Sequence, residues 1–199
     1  MASMTDGGDG LAERRVSEQR VYEGRILNLR VDRVELPSGR LATREVVEHR
    51  PAVGVVALTE GDGVLLVRQY RYAVDEATLE ICAGLLEEGE DPREAAEREM
   101  QEELGVRPRT LREIGGFYAS PGFCDEFLTL FLAEGLTESS LPQDEDENVS
   151  RVEVPVADLP RLMAEGAFRD SKTFAALAWL MAEKALRPGA SPAGPSASP

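Results

Sequence analysis

The chain has 199 residues, 42% of them hydrophobic, which suffices for one domain with a core plus a small accessory element. Its formal charge of −15 excludes nucleic-acid binding by phosphate neutralisation, which needs a basic surface. Two cysteines, Cys82 and Cys124, exclude a disulfide framework and point to packing roles in a reduced, intracellular protein.

Taken in chain order, residues 1–15 are rich in glycine and charge, and they are expected to be disordered. The same expectation holds for the low-complexity tail 188–199. No apolar leader precedes the first element and no apolar run reaches membrane-spanning length, so a cytoplasmic chain with no membrane partner is expected. Residues 16–50 form an N-terminal β element. Leu27, Leu29 and Val31 alternate with polar residues, Pro37-Ser38-Gly39-Arg40 is a turn, and Arg44–Val47 is a return strand. Two or three strands are marginal alone, so this element needs the main domain or a second subunit.

Residues 51–187 form the main domain. Strands Val53–Leu58 and Val64–Arg71 are joined by the turn Glu60-Gly61-Asp62-Gly63, and a short strand Thr78–Cys82 runs into Ala83-Gly84. After an acidic helix come a strand near Thr110–Gly115, a loop Tyr118–Asp125 and an apolar strand Phe127–Ala133. An acidic run, Gln143–Asn148, precedes a strand near Val152–Val154. Helices Val156–Glu165 and Ser171–Leu186 close the domain, the second capped by Asp170 or Ser171. Phe174 and Trp179 on the last helix are assigned to the core. Strands interleaved with helices predict an α/β layered domain with a mixed sheet.

The acidic helix is the most informative segment. Asp91 and Pro92 suit its N-cap and first position, Glu94 completes a capping box, and Gly105 ends it. Ala96, Met100 and Leu104 recur on one face. Glu99 and Glu103, and Glu99 and Glu102, stand at spacings that bring like charges together, at roughly 0.2–0.5 kcal/mol per pair. The spacing by itself leaves two readings: a solvated face of an acidic protein, or carboxylates gathered for a hard cation such as Mg²⁺. The single histidine, His49, excludes a His-rich metal site, and no Ser-His-Asp set can be assembled without it.

Gly84, Glu90, Arg98-Glu99-Met100, Glu102-Glu103, Gly105 and Val106 stand at intervals that resemble the Nudix box at every fixed position. The resemblance implies a Nudix-type α/β/α sandwich with a mixed sheet, plus an N-terminal antiparallel β element. It also implies a Mg²⁺ or Mn²⁺ cofactor and hydrolysis of a nucleoside diphosphate linked to another moiety. Glu99 and Glu103 would then bind metal, with Glu102 as a further ligand or an acceptor behind the ligands. The backbone carbonyl of Ala83 would be another ligand, Glu90 and Arg98 a structural ion pair, and Gly84 a place of close backbone approach.

Sixteen residues after Gly105, Pro121 sits in Ala119-Ser120-Pro121-Gly122-Phe123, ahead of Asp125-Glu126. Pro-Gly is also a common turn pair. The offset nevertheless resembles the ADP-ribose pyrophosphatase subgroup, as do Tyr22–Leu29, Arg44–Val53, Arg68–Arg71 and Leu79–Leu85. This wider likeness implies that Arg71, Arg44 and Arg25 bind the diphosphate or nucleotide end; for Arg25 and Arg44 the alternative is a surface ion pair. Ile26 would pack on adenine with Glu45 nearby, Leu85 would contact substrate, and Ser120, Pro121, Gly122 and Glu126 would hold the terminal ribose. In Asp144–Glu147 it implies Glu145 as general base and Glu147 as a further metal contact, although four consecutive acids leave the register open. The subgroup's homodimers with exchanged N-terminal strands set the expected oligomer. The expected reaction is ADP-ribose to AMP and ribose 5-phosphate. The alternatives are another nucleoside diphosphate sugar or a non-catalytic Nudix-fold binding module, and the latter is disfavoured by retention of all three box glutamates.

Overall fold

The computed structural model describes residues 10–142 and 148–186, which fall into two compact units. The first unit takes residues to Pro51 together with Phe117–Phe127, and the second takes the remainder.

In the first unit, β1 (Arg14–Glu23), β2 (Leu27–Glu35) and β3 (Leu41–His49) form an antiparallel sheet in that order. The β2–β3 register runs unbroken from Leu27 opposite His49 to Glu35 opposite Leu41. The connecting turn closes at Gly39, whose φ of 79° favours glycine. β1 begins at Arg14, inside the stretch 1–15 expected to be disordered and well ahead of the alternation at Leu27–Val31. All ten of its residues are exposed, so it carries no one-sided apolar alternation to be read. Its ladder to β2 is interrupted by two register shifts, and Arg14–Glu35 and Arg20–Glu48 ion pairs cross the sheet.

The segment 117–127 is tied to the end of β3. Val47 N donates to Phe123 O at 2.7 Å, Asp125 N to Val47 O at 3.1 Å, and His49 N to Asp125 Oδ1 at 2.8 Å.

The second unit is built on a mixed sheet of β4 (Ala52–Leu58), β5 (Gly63–Arg71), β6 (Glu76–Glu80), β7 (Cys82–Leu85), β9 (Thr110–Tyr118), β10 (Phe127–Glu134) and β12 (Val149–Pro155). The main path is β12-β5-β4-β10-β9, with β10 parallel to β4 and β12 and β4 antiparallel to β5. β8 (Val106–Arg107) and β11 (Thr137–Glu138) make a separate small pair.

The single strand expected over Thr78–Cys82 is two strands. β6 pairs with β5, β7 pairs with β4, and Ile81 is the residue at which the chain changes partner. Ile81 N, without a ladder partner there, donates to Thr173 Oγ1 at 2.9 Å.

Every residue of β4 is buried, so its alternate side chains serve two faces. Val53, Val55 and Ala57 join Cys82, Phe131, Ala96, Met100 and Leu104 in one apolar cluster. On the opposite face a Cβ at Gly54 would meet Ile81 and Leu130. The helices are α1 (Pro92–Glu99), α2 (Leu159–Ala164) and α3 (Ser171–Leu186). α1 contributes Ala95 and Ala96 to the first cluster, while α3 buries Ala176, Leu177 and Leu180. A sheet covered by helices in this way is the α/β/α layering expected.

Two side chains differ from expectation. Phe174 is exposed and Trp179 is half-buried with the Arg112 guanidinium 5.5 Å above its ring, because Thr173, Ala176, Leu177 and Leu180 form the inward stripe of α3. No described helix is long and apolar enough to cross a membrane.

Candidate active site

The acidic helix starts as its sequence requires: Asp91 Oδ1 accepts from Arg93 N at 2.8 Å and Pro92 opens the first turn. It does not continue as one α-helix to Gly105. After Glu99 it widens into a π-helical turn, Met100–Leu104, closed by Gly105 in the left-handed region. Such turns are rare and cluster at functional sites. Met100 and Leu104 are buried on this turn, so the widened backbone still anchors in the core while it presents its carboxylates.

Glu99 and Glu103 are only 6% and 5% exposed, unusual for carboxylates. Glu103 Oε2 accepts from Ala83 N at 3.0 Å. Glu99 lies against Gly84, where an added Cβ would sit 1.8 Å from Glu99 Oε1. Only glycine admits the carboxylate there. The two glutamates thus close on adjacent residues of β7, Ala83 and Gly84, 20 and 15 positions earlier in the chain.

Arg98 binds this arrangement together. Its Nε and Nη2 reach Glu90 at 3.0 and 3.1 Å, and Nη2 also donates to the Leu85 carbonyl at 3.1 Å. Its Nη1 donates to Glu99 Oε1 at 2.7 Å and Glu102 Oε2 at 2.9 Å. The ion pair of Arg98 with Glu90 is present, and the same guanidinium also offsets the repulsion between Glu99 and Glu102. The Arg98 hydrogen bonds hold the Glu90 carboxyl below its ordinary range, and the Glu90 contact in turn raises Arg98.

Among the described residues, no three His, Cys, Asp or Glu side chains are arranged to hold an ion. In this structure Glu99 and Glu103 face Arg98 and the Ala83 amide instead. The donor set nevertheless fits a hard divalent cation: nearly buried carboxylate oxygens, gathered over a cradle that a single Cβ would fill.

Arg71, at the end of β5, makes a two-pronged bond to Glu80, Nε to Oε1 at 2.8 Å and Nη2 to Oε2 at 2.7 Å. Glu80 is 1% exposed and also accepts from Thr78 Oγ1 at 2.6 Å and from Lys172. Burial works to raise the Glu80 carboxyl, but the bonds from Arg71, Lys172 and Thr78 prevail and hold it at about 2. Sequence reasoning did not single out Glu80 or Lys172. An acid inside the apolar run Thr78–Cys82 was the available signal for Glu80; for Lys172, 92 positions away, there was none.

The substrate-side residues of the first unit are placed less tightly. Arg44 pairs with Glu13, Nε to Oε2 at 2.9 Å, as a surface ion pair. Arg25, Ile26 and Glu45 are exposed. The sheet does not bring Ile26 and Glu45 together. Glu45 lies opposite Val31 and His49 opposite Leu27, so the two positions are separated along the strands by at least four rungs, about 13 Å.

The loop with Ser120, Pro121, Gly122 and Glu126 is a closed turn. Phe123 N and Cys124 N donate to Ser120 O at 3.1 and 2.9 Å, and Ala119 N to Glu126 O at 3.0 Å. Glu126 Oε1 stands 3.7 Å from His49 Nδ1. Glu145 and Glu147 lie outside the described residues.

A sheet layered between helices, with buried glutamates closing on a strand-end glycine, defines a class that comparison with known proteins names. Residues 48–177 match the NUDIX domain, and the chain belongs to that family. Residues 13–47 match the nucleoside diphosphate sugar hydrolase N-terminal domain. The chain is 38% identical to the ADP-ribose pyrophosphatase of Bacillus subtilis over 179 residues, 89% of this chain and 97% of that protein. The ADP-ribose pyrophosphatase of Mycobacterium tuberculosis is 34% identical, over 87% of this chain and 84% of its own. A protein of Bacillus methanolicus named methanol dehydrogenase activator is 38% identical, over 88% and 96%. A crystal structure of an ADP compounds hydrolase superposes with a TM-score of 0.80 at 24% identity, covering 87% of this chain and 95% of that one, which bears on the fold.

Proposed function

We propose that this chain hydrolyses the diphosphate of ADP-ribose to AMP and ribose 5-phosphate, using Mg²⁺ or Mn²⁺. The observation that carries the reading is the pair of buried glutamates, Glu99 and Glu103, on the Ala83–Gly84 cradle. The chain's likeness to ADP-ribose pyrophosphatases over most of its length supports the substrate.

Glu99, Glu103, Glu102 and the Ala83 carbonyl would hold the metal, with Glu147 as a further contact. A bound divalent ion supplies charge neutralisation at the diphosphate and a more acidic water. Arg71 binds the diphosphate, its planar fork matching phosphate oxygens. Glu145 takes the proton of the attacking water, a role that needs an approach of about 2.6–3.2 Å. Arg25, Ile26, Arg44, Glu45 and Leu85 contact the nucleotide side, with Ile26 and Glu45 acting separately. Ser120, Pro121, Gly122 and Glu126 hold the second ribose. Arg98, Glu90, Gly84 and Gly105 keep the scaffold. The working form is a cytoplasmic homodimer that exchanges N-terminal strands, a reading supported by the exposed apolar side chains of residues 11–27, among them Val16, Val21 and Tyr22.

The test is product release from ADP-ribose, other nucleoside diphosphate sugars and nucleoside triphosphates, with Mg²⁺, Mn²⁺ or EDTA, alongside light scattering for the oligomer. Preference for ADP-ribose, abolished by EDTA, supports the reading. Preference for another nucleoside diphosphate sugar, a possibility favoured by the N-terminal family match, keeps the metal helix and discards the ribose loop assignment. No turnover of any compound overturns the enzyme reading in favour of a binding or regulatory module.

A further inference from the structure

The strand segment Glu80–Gly84 is pinned at both ends. Glu103 and Glu99 close on Ala83 and Gly84, while the first turn of α3 holds the other end. There Thr173 Oγ1 accepts from Ile81 N at 2.9 Å, and Lys172 donates to the Glu80 carboxylate. Lys172 also donates to Asp170 Oδ1 at 3.0 Å, the oxygen that caps α3 through Thr173 N at 3.0 Å.

Glu80 is therefore shared by two cations. Its fork with Arg71 occupies two of the five N–H donors an arginine carries, and the Arg71 side chain remains 42% exposed. Arg71 and Lys172 together balance Glu80 and Asp170. Without Lys172, Arg71 would be the one cation facing Glu80, Asp170 and the nearby charge of Glu103. An anionic ligand approaching its outer edge would then meet a net negative cluster, with Glu80 buried behind the guanidinium and poorly screened.

We propose that Lys172 is a positioning residue of the active site: by sharing Glu80 with Arg71, it fixes the guanidinium and keeps its outer edge attractive to a substrate diphosphate. The inference rests on Arg71 as the diphosphate-binding arginine of the proposed reaction. Lys172 acts through Arg71 and touches no substrate.

The experiment compares Lys172→Met, which keeps the length without the charge, with Lys172→Arg, alone and with Arg71→Ala. Read-outs are KM and kcat for ADP-ribose, calorimetric binding of inorganic pyrophosphate, and thermal melting. Lys172→Met is expected to raise KM and weaken pyrophosphate binding about tenfold with a smaller change in kcat, and Lys172→Arg to restore most of it. In the Arg71→Ala background the Lys172→Met effect should vanish, because residues acting as one unit are not additive.

Unchanged KM with a lower melting temperature would make Lys172 merely structural, and an undiminished effect without Arg71 would equally sink the proposal. If Arg71→Ala itself leaves KM unchanged, the inference falls while ADP-ribose hydrolysis stands. A wild-type chain inactive on ADP-ribose, yet binding pyrophosphate with the same dependence on Lys172, would remove the substrate reading alone. Should Lys172→Met not fold, Lys172→Gln, which keeps a donor without the charge, serves the same comparison.

Discussion

The acidic helix with its π-turn and the first strand, β1, are both dense in charge, yet their charges do different things. On the helix, Glu99 and Glu103 are almost wholly buried and each is met by a particular donor: Arg98 for one, the Ala83 amide for the other. On β1 every residue is exposed, and its pairs, Arg14 with Glu35 and Arg20 with Glu48, lie where water competes. A buried charge is held only by specific compensation and leaves an unpaired partner when that is removed, whereas an exposed pair is nearly free to exchange with solvent. Charge density in a sequence is therefore a poor guide to function until burial separates the two cases.

That contrast can be broken by substitution. Its largest expected consequence is on turnover: Glu99→Gln or Glu103→Gln should lower kcat with saturating Mg²⁺ on the order of a hundredfold or more, with the fold retained by circular dichroism. A near-wild-type rate in either variant would remove the carboxylates from the metal site. Next comes the packing beneath them. Met100, wholly buried at the start of the π-turn, should cost about 2–5 kcal/mol when changed to alanine, read by urea denaturation.

Acid provides a third contrast. The Glu80 carboxyl is held at about 2 in the folded chain, below its unfolded value, so its stabilising contribution is full above that unfolded value and is lost as pH falls toward 2. The contribution is roughly 3 kcal/mol by linkage. Melting curves from pH 6 to 2.5 should show Glu80→Gln, which cannot ionise, with a flatter acid slope than wild type. The same slope in both would mean that Glu80 is not held low.

The smallest effect belongs to β1. Arg14→Ala should change stability by less than about 1 kcal/mol and leave turnover unchanged. A larger cost would show that this sheet is covered in solution, which would sharpen the homodimer reading, and concentration-dependent melting would confirm it.

Much of the fold was legible because local chemistry and periodicity agreed. Asp91-Pro92 and Gly105 bounded the helix segment, the alternation around Leu27–Val31 marked β2, and the apolar runs Val53–Leu58 and Phe127–Ala133 became central strands. For Gly84, Glu90, Arg98, Glu99, Glu102 and Glu103 spacing alone left a solvated face open, and it was their likeness to the Nudix box that pointed to the candidate site. β1 was missed in its first half because an exposed strand has no apolar side to alternate with.

What the sequence determined, through its likeness to the Nudix box, was which residues to look for together: the glutamates, Arg98 and Gly84. Tertiary structure decided what each group meets. The widening of the helix after Glu99, the change of sheet partner at Ile81 and the sharing of Glu80 by Arg71 and Lys172 depend on contacts between residues as many as 92 positions apart. Such contacts leave no periodic trace, because they are selected by the shape of the packed layers and by the need to satisfy buried polar groups.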